Sequence, residues 1–381
     1  MAYFDNAATT FPKPECVYKE MDSFYRGCGG SAGRGDHAGA KSAGALIADV
    51  KENLQKLLHC PAKQVIFTHT ATIALNMIIQ GLISDGARTF YISPFEHNAV
   101  TRTLHHYEKC NQIQVATLSV NTDLEYDLMR IRYQFDDAKP DVVIISHASN
   151  VIGLVAPVEK IFKIAKVYDA ITVVDMAQTA GLVDLNAGLS TIDFAVFDGH
   201  KTLYAPTGIA GFVMNPERKL PAVLFGGTGY DSANQDMPDS IPERYEMGTQ
   251  NIVGVAGLHA SLTWLEALGM EELLHREQDH RRRLIALLSS YPFVRLIGIK
   301  DGLTYVGIVS CVIGGVSSDT AGSIFDRCGI SVRTGLHCAP LAHQFLGTYP
   351  AGTIRFSVSY FTSESDFIEL EAALDYIEEN L

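Results

Sequence analysis

The sequence predicts an α/β protein, a mostly parallel sheet covered by helices and followed by a smaller α+β unit. Three observations carry that expectation. Short β-rich apolar runs recur through the middle of the 381 residues, helical patterns alternate with them, and the pattern changes character near residue 252.

The runs are Val65-Ile66-Phe67-Thr68, Val142-Val143-Ile144-Ile145, Ile171-Thr172-Val173-Val174 and Phe194-Ala195-Val196-Phe197. They show no alternation of apolar and polar residues, as expected of strands buried on both faces of a parallel sheet. After the first run, Ala71, Leu75, Ile78, Ile79 and Leu82 fall on one helical face. Beyond the change, Gly254 to Leu268 reads as a helix holding the only tryptophan, Trp264. Strand patterns at Tyr305–Ile313, Ile330–Arg333 and Thr353–Tyr360 enclose a helix near Ser318–Cys328. A last helix places Phe367, Leu370, Leu374, Ile377 and Leu381 on one side, opened by Ser363 and Asp366 as a capping box. The expected division is therefore a large domain over 15–251 and a small one over 252–381 joined by residues 1–14. Between them, Gly226 to Glu243 has no periodicity, and so long a loop inside a compact protein is usually functional.

Composition narrows the function. With 47% hydrophobic and 19% charged residues the chain is of ordinary globular type. No apolar run approaches the roughly 18 residues that cross a bilayer, and Met1-Ala2-Tyr3-Phe4-Asp5 lacks a basic, then apolar, leader, so a cytoplasmic protein without a membrane partner is expected. A formal net charge of −13 argues against nucleic acid. Seven cysteines at 16, 28, 60, 110, 311, 328 and 338 form no C-x-x-C pair and no zinc pattern, which predicts reduced thiols and no metal.

Polar residues sit directly after the predicted strands: Thr70-Ala71-Thr72, Asn150, Asp175 with Gln178, and Lys201 in Asp198-Gly199-His200-Lys201. In an open parallel sheet such ends face one crevice, where ligands bind. Thr70-Ala71-Thr72 opens a helix whose free N–H groups and dipole suit a phosphate. A lysine forms a Schiff base with an aldehyde, and an aspartate keeps a pyridine nitrogen protonated. Phosphate site, lysine and aspartate together describe pyridoxal phosphate. Each has a plainer reading: Lys201 as a solvated lysine, Asp175 and the threonines as helix caps. Gly33-Arg34-Gly35-Asp36-His37-Ala38 imitates a dinucleotide fingerprint, but no strand precedes it and that reading is rejected.

The order of these stretches resembles the class V aminotransferase group of fold-type-I pyridoxal-phosphate enzymes, and within it the cysteine desulfurases and selenocysteine lyases. The resemblance runs from Tyr3-Phe4-Asp5-Asn6-Ala7-Ala8-Thr9-Thr10 to Gly352-Thr353-Ile354-Arg355. Between them stand Glu96-His97-Asn98, Ser149-Asn150-Val151-Ile152-Gly153, Val174-Asp175-Met176-Ala177-Gln178, Gly199-His200-Lys201, Glu246-Met247-Gly248-Thr249 and Arg333-Thr334-Gly335-Leu336-His337-Cys338-Ala339-Pro340. The resemblance implies a seven-stranded-type sheet, pyridoxal 5'-phosphate as cofactor and L-cysteine or a related sulfur or selenium amino acid as substrate. It implies that Lys201 holds the cofactor and moves the Cα proton, that Asp175 meets the pyridine nitrogen and Gln178 the ring hydroxyl, and that His97 stacks on the ring. Ala71, Thr72 and His200 would hold the phosphate, with Thr249 supplied by the partner of a homodimer. Asn150, Arg355 and Ala7 would bind substrate, Arg355 clamping its carboxylate two-pronged. Cys338 would take sulfur as a persulfide, its thiolate favoured by Arg333 and His337. The short Arg333–Cys338 spacing resembles the compact-loop branch, which often hands sulfur to an acceptor protein.

Three departures bear on this. Asp198 stands where many relatives place Ser or Thr beside the phosphate, so it must point away or be paired. Met176 replaces a commoner small residue. Thr101-Arg102 replaces a Pro-Trp pair on the substrate side. The expected activity is desulfuration of cysteine through Cys338; the alternative is a selenocysteine or other carbon–sulfur lyase that does not need that thiol.

Overall fold

The computed structural model describes residues 1–28, 30–32, 35–229 and 233–380. Seven strands form the main sheet in the order Gln64–Thr68, Ala210–Met214, Phe194–Asp198, Ile171–Asp175, Val142–Ser146, Thr89–Ile92 and Gln114–Thr117. All run parallel except Ala210–Met214, which is antiparallel to both neighbours. The four runs read from the sequence are four of these strands. The other three were not singled out: Gln114–Thr117 is a half-exposed edge, Thr89–Ile92 has only four residues, and Ala210–Met214 opens on Ala-Gly, a weak strand pattern.

The continuous apolar runs are explained by burial on both faces. Ile66, Val142, Ile144, Val173, Phe194 and Val196 pack on one side beneath helices Ala71–Ser84 and Asn98–Lys109. Val65, Phe67, Val143, Ile145, Val174 and Phe197 pack on the other, beneath Ala38–Leu57, Val158–Val167 and Ile252–Leu268. All five apolar residues assigned to the first helix face are buried. Each large aliphatic among them contributes roughly 1.5–3 kcal/mol relative to exposure.

A third core joins Phe4 with Leu284, Val309, Phe325, Ile354, Phe356, Phe367 and Leu374. It lies on a four-stranded antiparallel sheet ordered Arg333–Gly335, Thr353–Ser357, Ile308–Ile313, Val294–Ile297. The run Ile330–Arg333 is not one strand. Ile330–Ser331 pairs in parallel with Ala2–Tyr3, and Arg333–Gly335 crosses to the four-stranded sheet. The strand expected from Tyr305 begins at Ile308, and the one expected to reach Tyr360 stops at Ser357.

The final helix, Glu364–Asn380, opens on the predicted capping box: Ser363 N–H donates to Asp366 at 2.7 Å, and Asp366 N–H reaches the Ser363 hydroxyl at 3.4 Å. Leu381, Gly33 and Arg34 lie outside the described residues, as do residues 230–232 of the long loop. No helix or strand occurs in the rest of Gly226–Glu243. Among the described residues no single helix is long and apolar enough to cross a membrane, and no cluster of three potential metal ligands occurs.

Candidate active site

Parallel register aligns the carboxyl ends of the strands, placing Ser146 directly beside Asp175. One pocket collects Ala71, Thr72, His97, Asn150, Asp175, Gln178, Asp198 and Lys201. Lys201 follows its strand through a tight turn at Gly199. A side chain there would meet the Ile209 carbonyl oxygen at 2.5 Å, so only glycine fits. Residues 9–13 close the turn from behind: the Thr10 hydroxyl donates to the Lys201 carbonyl at 2.6 Å, and Lys13 Nζ to the His200 carbonyl at 2.7 Å. Burial brings the Lys13 ammonium down to about 7, against the opposing pull of Asp198.

Thr70 caps helix Ala71–Ser84, its hydroxyl accepting from Ile73 N–H at 3.2 Å. The plain capping reading therefore holds for Thr70. Ala71 and Thr72 line the pocket at that helix's N-terminus, where N–H groups lack partners within the helix. Asp175 has its Oδ1 on Ala177 N–H at 2.9 Å. Burial pushes its carboxyl up, while Ala177 and Lys201 pull the other way. Gln178 Nε2 donates to the Ala7 carbonyl at 2.9 Å, tying residues 5–10 to the pocket floor.

The paired alternative for Asp198 is the observed one. It is 6% exposed, with Oδ2 at 3.2 Å from His200 Nε2 and 3.8 Å from Lys201 Nζ. Burial alone would raise its pKa; the His200 hydrogen bond and Lys201 bring it below the ordinary value, so it stays ionised.

His97 caps helix Asn98–Lys109, Nδ1 accepting from Ala99 N–H at 3.0 Å. Burial, then Lys201 and Arg333, lower its pKa to about 4, so it is neutral at physiological pH. The next residue reaches the thiol segment, Asn98 N–H donating to the Cys338 carbonyl at 2.7 Å. Cys338 is half-buried, with Arg333 Nη2 at 3.2 Å from Sγ. His337 and Cys338 both have left-handed backbone, φ 47° and 58°. Asn150 Nδ2 holds the His337 carbonyl at 2.6 Å.

Two expectations need correction. His337 does not support a thiolate as a cation: it is 2% exposed with Nε2 on the Thr353 hydroxyl at 2.9 Å, and burial brings its pKa to about 2. Arg333 is the cation hydrogen-bonded to the sulfur, and Arg355 interacts with it through space. Nor is the Arg355 fork open. Nη2 is on Asp5 at 2.9 Å and Nη1 on the Asn150 carbonyl at 2.9 Å, leaving Nε buried without a partner. A two-pronged carboxylate must either share the Nη2 edge with Asp5, using Nε–H and the second Nη2–H, or displace Asp5. Thr249 is exposed and outside this pocket.

Sequence reading passed over Asp5, Lys13, Thr353 and the burial of Glu96. Asp5 was visible only as part of a quoted stretch. Glu96 is fully buried and accepts from Ser93 Oγ and Ser146 N–H, each at 2.6 Å, and from Ser146 Oγ at 2.8 Å. Burial raises its pKa to about 7.

The groups present fit pyridoxal phosphate: an amine, a buried carboxylate, an open helix N-terminus, and two buried atoms without partners, Asn150 Oδ1 and His200 Nδ1. Comparison with known proteins agrees. The family Aminotransferase class-V matches residues 2–370. The chain is 31% identical over 404 residues to a "Probable cysteine desulfurase 2" of Mycobacterium leprae, covering 99% of this chain and 92% of that one. It is 28% identical over 383 residues to a "Probable cysteine desulfurase" of Xylella fastidiosa, covering 98% and 90%. Among solved structures, the apo cysteine desulfurase of Thermococcus onnurineus NA1 superposes with a TM-score of 0.91 at 26% identity, covering 100% of this chain and 95% of that one. With a match over nearly its whole length and a pocket that suits the cofactor, the chain belongs to the aminotransferase class-V family of pyridoxal-phosphate enzymes.

Proposed function

We propose that this chain is a cysteine desulfurase, converting L-cysteine to L-alanine and leaving the sulfur on Cys338 as a persulfide. The observation that carries the reading is Arg333 Nη2 at 3.2 Å from Cys338 Sγ, at an opening whose walls include His97 and Thr72 of the lysine pocket. The names of the relatives point the same way.

Bound in this pocket, pyridoxal phosphate supplies the electron sink for charge developing at the substrate Cα. Lys201 would hold it and, once released as a free amine, move the Cα proton. Asp175 would face the ring nitrogen, Gln178 the ring hydroxyl, and Ala71, Thr72 and His200 the phosphate. Neutral His97 would stack on the ring and pass protons. Arg355, with Asp5 sharing its Nη2 edge or displaced, would hold the substrate carboxylate and fix the amino acid with Asn150 and Ala7 beside it. The Cys338 thiolate then attacks the substrate sulfur; the new S–S bond forms as the Cβ–S bond breaks. Arg333 favours the anionic thiol through charge.

Further parts of the reading are a homodimer in which exposed Thr249 serves the partner's phosphate site, a sulfur-acceptor protein, and a cytoplasmic setting. The small unit over 252–381 with residues 1–14 carries the thiol against the large unit over 15–251.

Alanine release from L-cysteine with a reductant, wild type against Cys338→Ala, tests the reading. Loss of release in the variant, with the cofactor's visible absorbance kept, supports it. Equal release from both would reassign the chain to a lyase acting on selenocysteine or another sulfur amino acid without that thiol.

A further inference from the structure

A persulfide on Cys338 must be discharged before another turnover, and the class of reaction that discharges it is attack by a second thiol. Cys338 lies at one end of an open groove between helices Ala71–Ser84 and Asn98–Lys109. Its walls are prearranged. Asn76 Oδ1 accepts from Gln80 Nε2 and from the Thr103 hydroxyl, both at 3.1 Å, and the Tyr107 hydroxyl donates to Gln80 Oε1 at 3.3 Å. Arg102 and His106 complete the lining, and no carboxylate contributes to it, in a chain of net charge −13. Arg102 is exposed and has no ion-pair partner among the described residues.

Resting on the desulfurase reading, we infer that this groove receives an acidic polypeptide segment carrying the acceptor cysteine, with Arg102 as its charge-selecting residue. Length favours a polypeptide over a small thiol. From Thr72 to Gln80 the helix rises about 12 Å, the span of three or four extended residues, whereas a single amino acid fills only the Cys338 end. Charge favours an acidic one, since a cationic wall on an anionic molecule attracts carboxylates locally and steers their approach. In the transfer, the acceptor thiolate attacks the outer sulfur of the Cys338 persulfide. The S–S bond to Cys338 breaks, Cys338 leaves as thiolate with the electron pair, and the outer sulfur departs on the acceptor with its proton. No external oxidant or reductant is needed.

The test uses cofactor-loaded protein and two fluorescent peptides of equal length, one with Asp and Glu around a central serine and one with Gly and Ser there. Anisotropy titration at low ionic strength should show the acidic peptide binding on the order of tenfold tighter, an advantage that shrinks in high salt. Arg102→Glu should abolish or reverse the preference, and Arg102→Gln should reduce it, the second guarding against a folding defect in the first. Cysteine versions of the peptides then report transfer from Cys338 already carrying one extra sulfur by intact mass. Equal binding of the two peptides, or a preference that survives Arg102→Glu, overturns the inference. Charge-selective binding with no extra sulfur ever formed on Cys338 from L-cysteine would overturn the desulfurase reading and the acceptor role with it, whereas extra sulfur on Cys338 that never passes to the acidic cysteine peptide would overturn this inference alone.

Discussion

The floor of the pocket and its thiol wall are built in different ways. Asp175, Asp198 and Lys201 stand at or just beyond the ends of adjacent strands, so sheet register places them. The wall, Arg333–Cys338, has such a frame only over its first half, where Arg333–Gly335 pairs with Thr353–Arg355; Leu336, His337 and Cys338 lie beyond the strand. Its two left-handed non-glycine residues, His337 and Cys338, each costing about 1–3 kcal/mol, are fixed by Asn150, 187 residues distant from His337, by Thr353, and by the main chain of Asn98. A substitution on the floor should change chemistry while leaving the backbone in place. One on the wall should displace the sulfur while leaving the cofactor in place.

The strongest way to break that contrast is Lys201→Ala. Loss of the amine should cost at least about 10³-fold in alanine release and abolish the cofactor's visible absorbance, with unfolding by urea little changed. Retained absorbance would show that the floor does not depend on this lysine. Next is Glu96→Gln, beneath the same floor. The wild-type carboxyl has an ordinary value of 4.5 and a folded value of about 7. Between those values the folded chain keeps a proton that the unfolded chain has lost, so this group's stabilisation is complete below about 4.5 and declines as pH rises towards 7. Removing the titration should raise the stability of the variant relative to wild type by about 3 kcal/mol across that window. A pH-independent difference in urea midpoint would show that Glu96 does not titrate high.

Much of the floor was legible in the sequence and little of the wall. Val142–Ile145 and Ile171–Val174 announce buried strands, and a lysine or aspartate at such an end needs no tertiary knowledge to place. The split after Ser331 turns on a pairing with Ala2–Tyr3 that no local pattern reveals. His337 read as a cation because it adjoins Cys338 in sequence; its hydrogen bond to Thr353 and its burial come from residues outside that stretch. The occupied state of Arg355 likewise depends on Asp5, 350 positions away.

Two smaller effects sharpen the contrast from the wall side. Arg333→Gln, which removes the hydrogen bond to Cys338 Sγ, should slow alkylation of Cys338 about tenfold, with cofactor absorbance unchanged. An unchanged rate would mean that Arg333 does not support the thiolate. Thr353→Val, which leaves His337 Nε2 without a partner, should cost about 1 kcal/mol in urea unfolding. It should also slow alanine release a few-fold without weakening cofactor binding. If cofactor affinity fell as much as turnover, floor and wall would be one mechanical unit.

Residues 2–10 have a consequence for biosynthesis. They leave the ribosome early, yet their partners are among the later parts of the chain: Gln178 for Ala7, the His200 and Lys201 carbonyls for Thr9 and Thr10, Ile330–Ser331 for Ala2–Tyr3, and Arg355 for Asp5. Such distant closure is slow compared with local helix formation. The main sheet can therefore collapse while Ala2–Asp5 is still unpaired, and the Asp5–Arg355 ion pair forms only as translation nears its end.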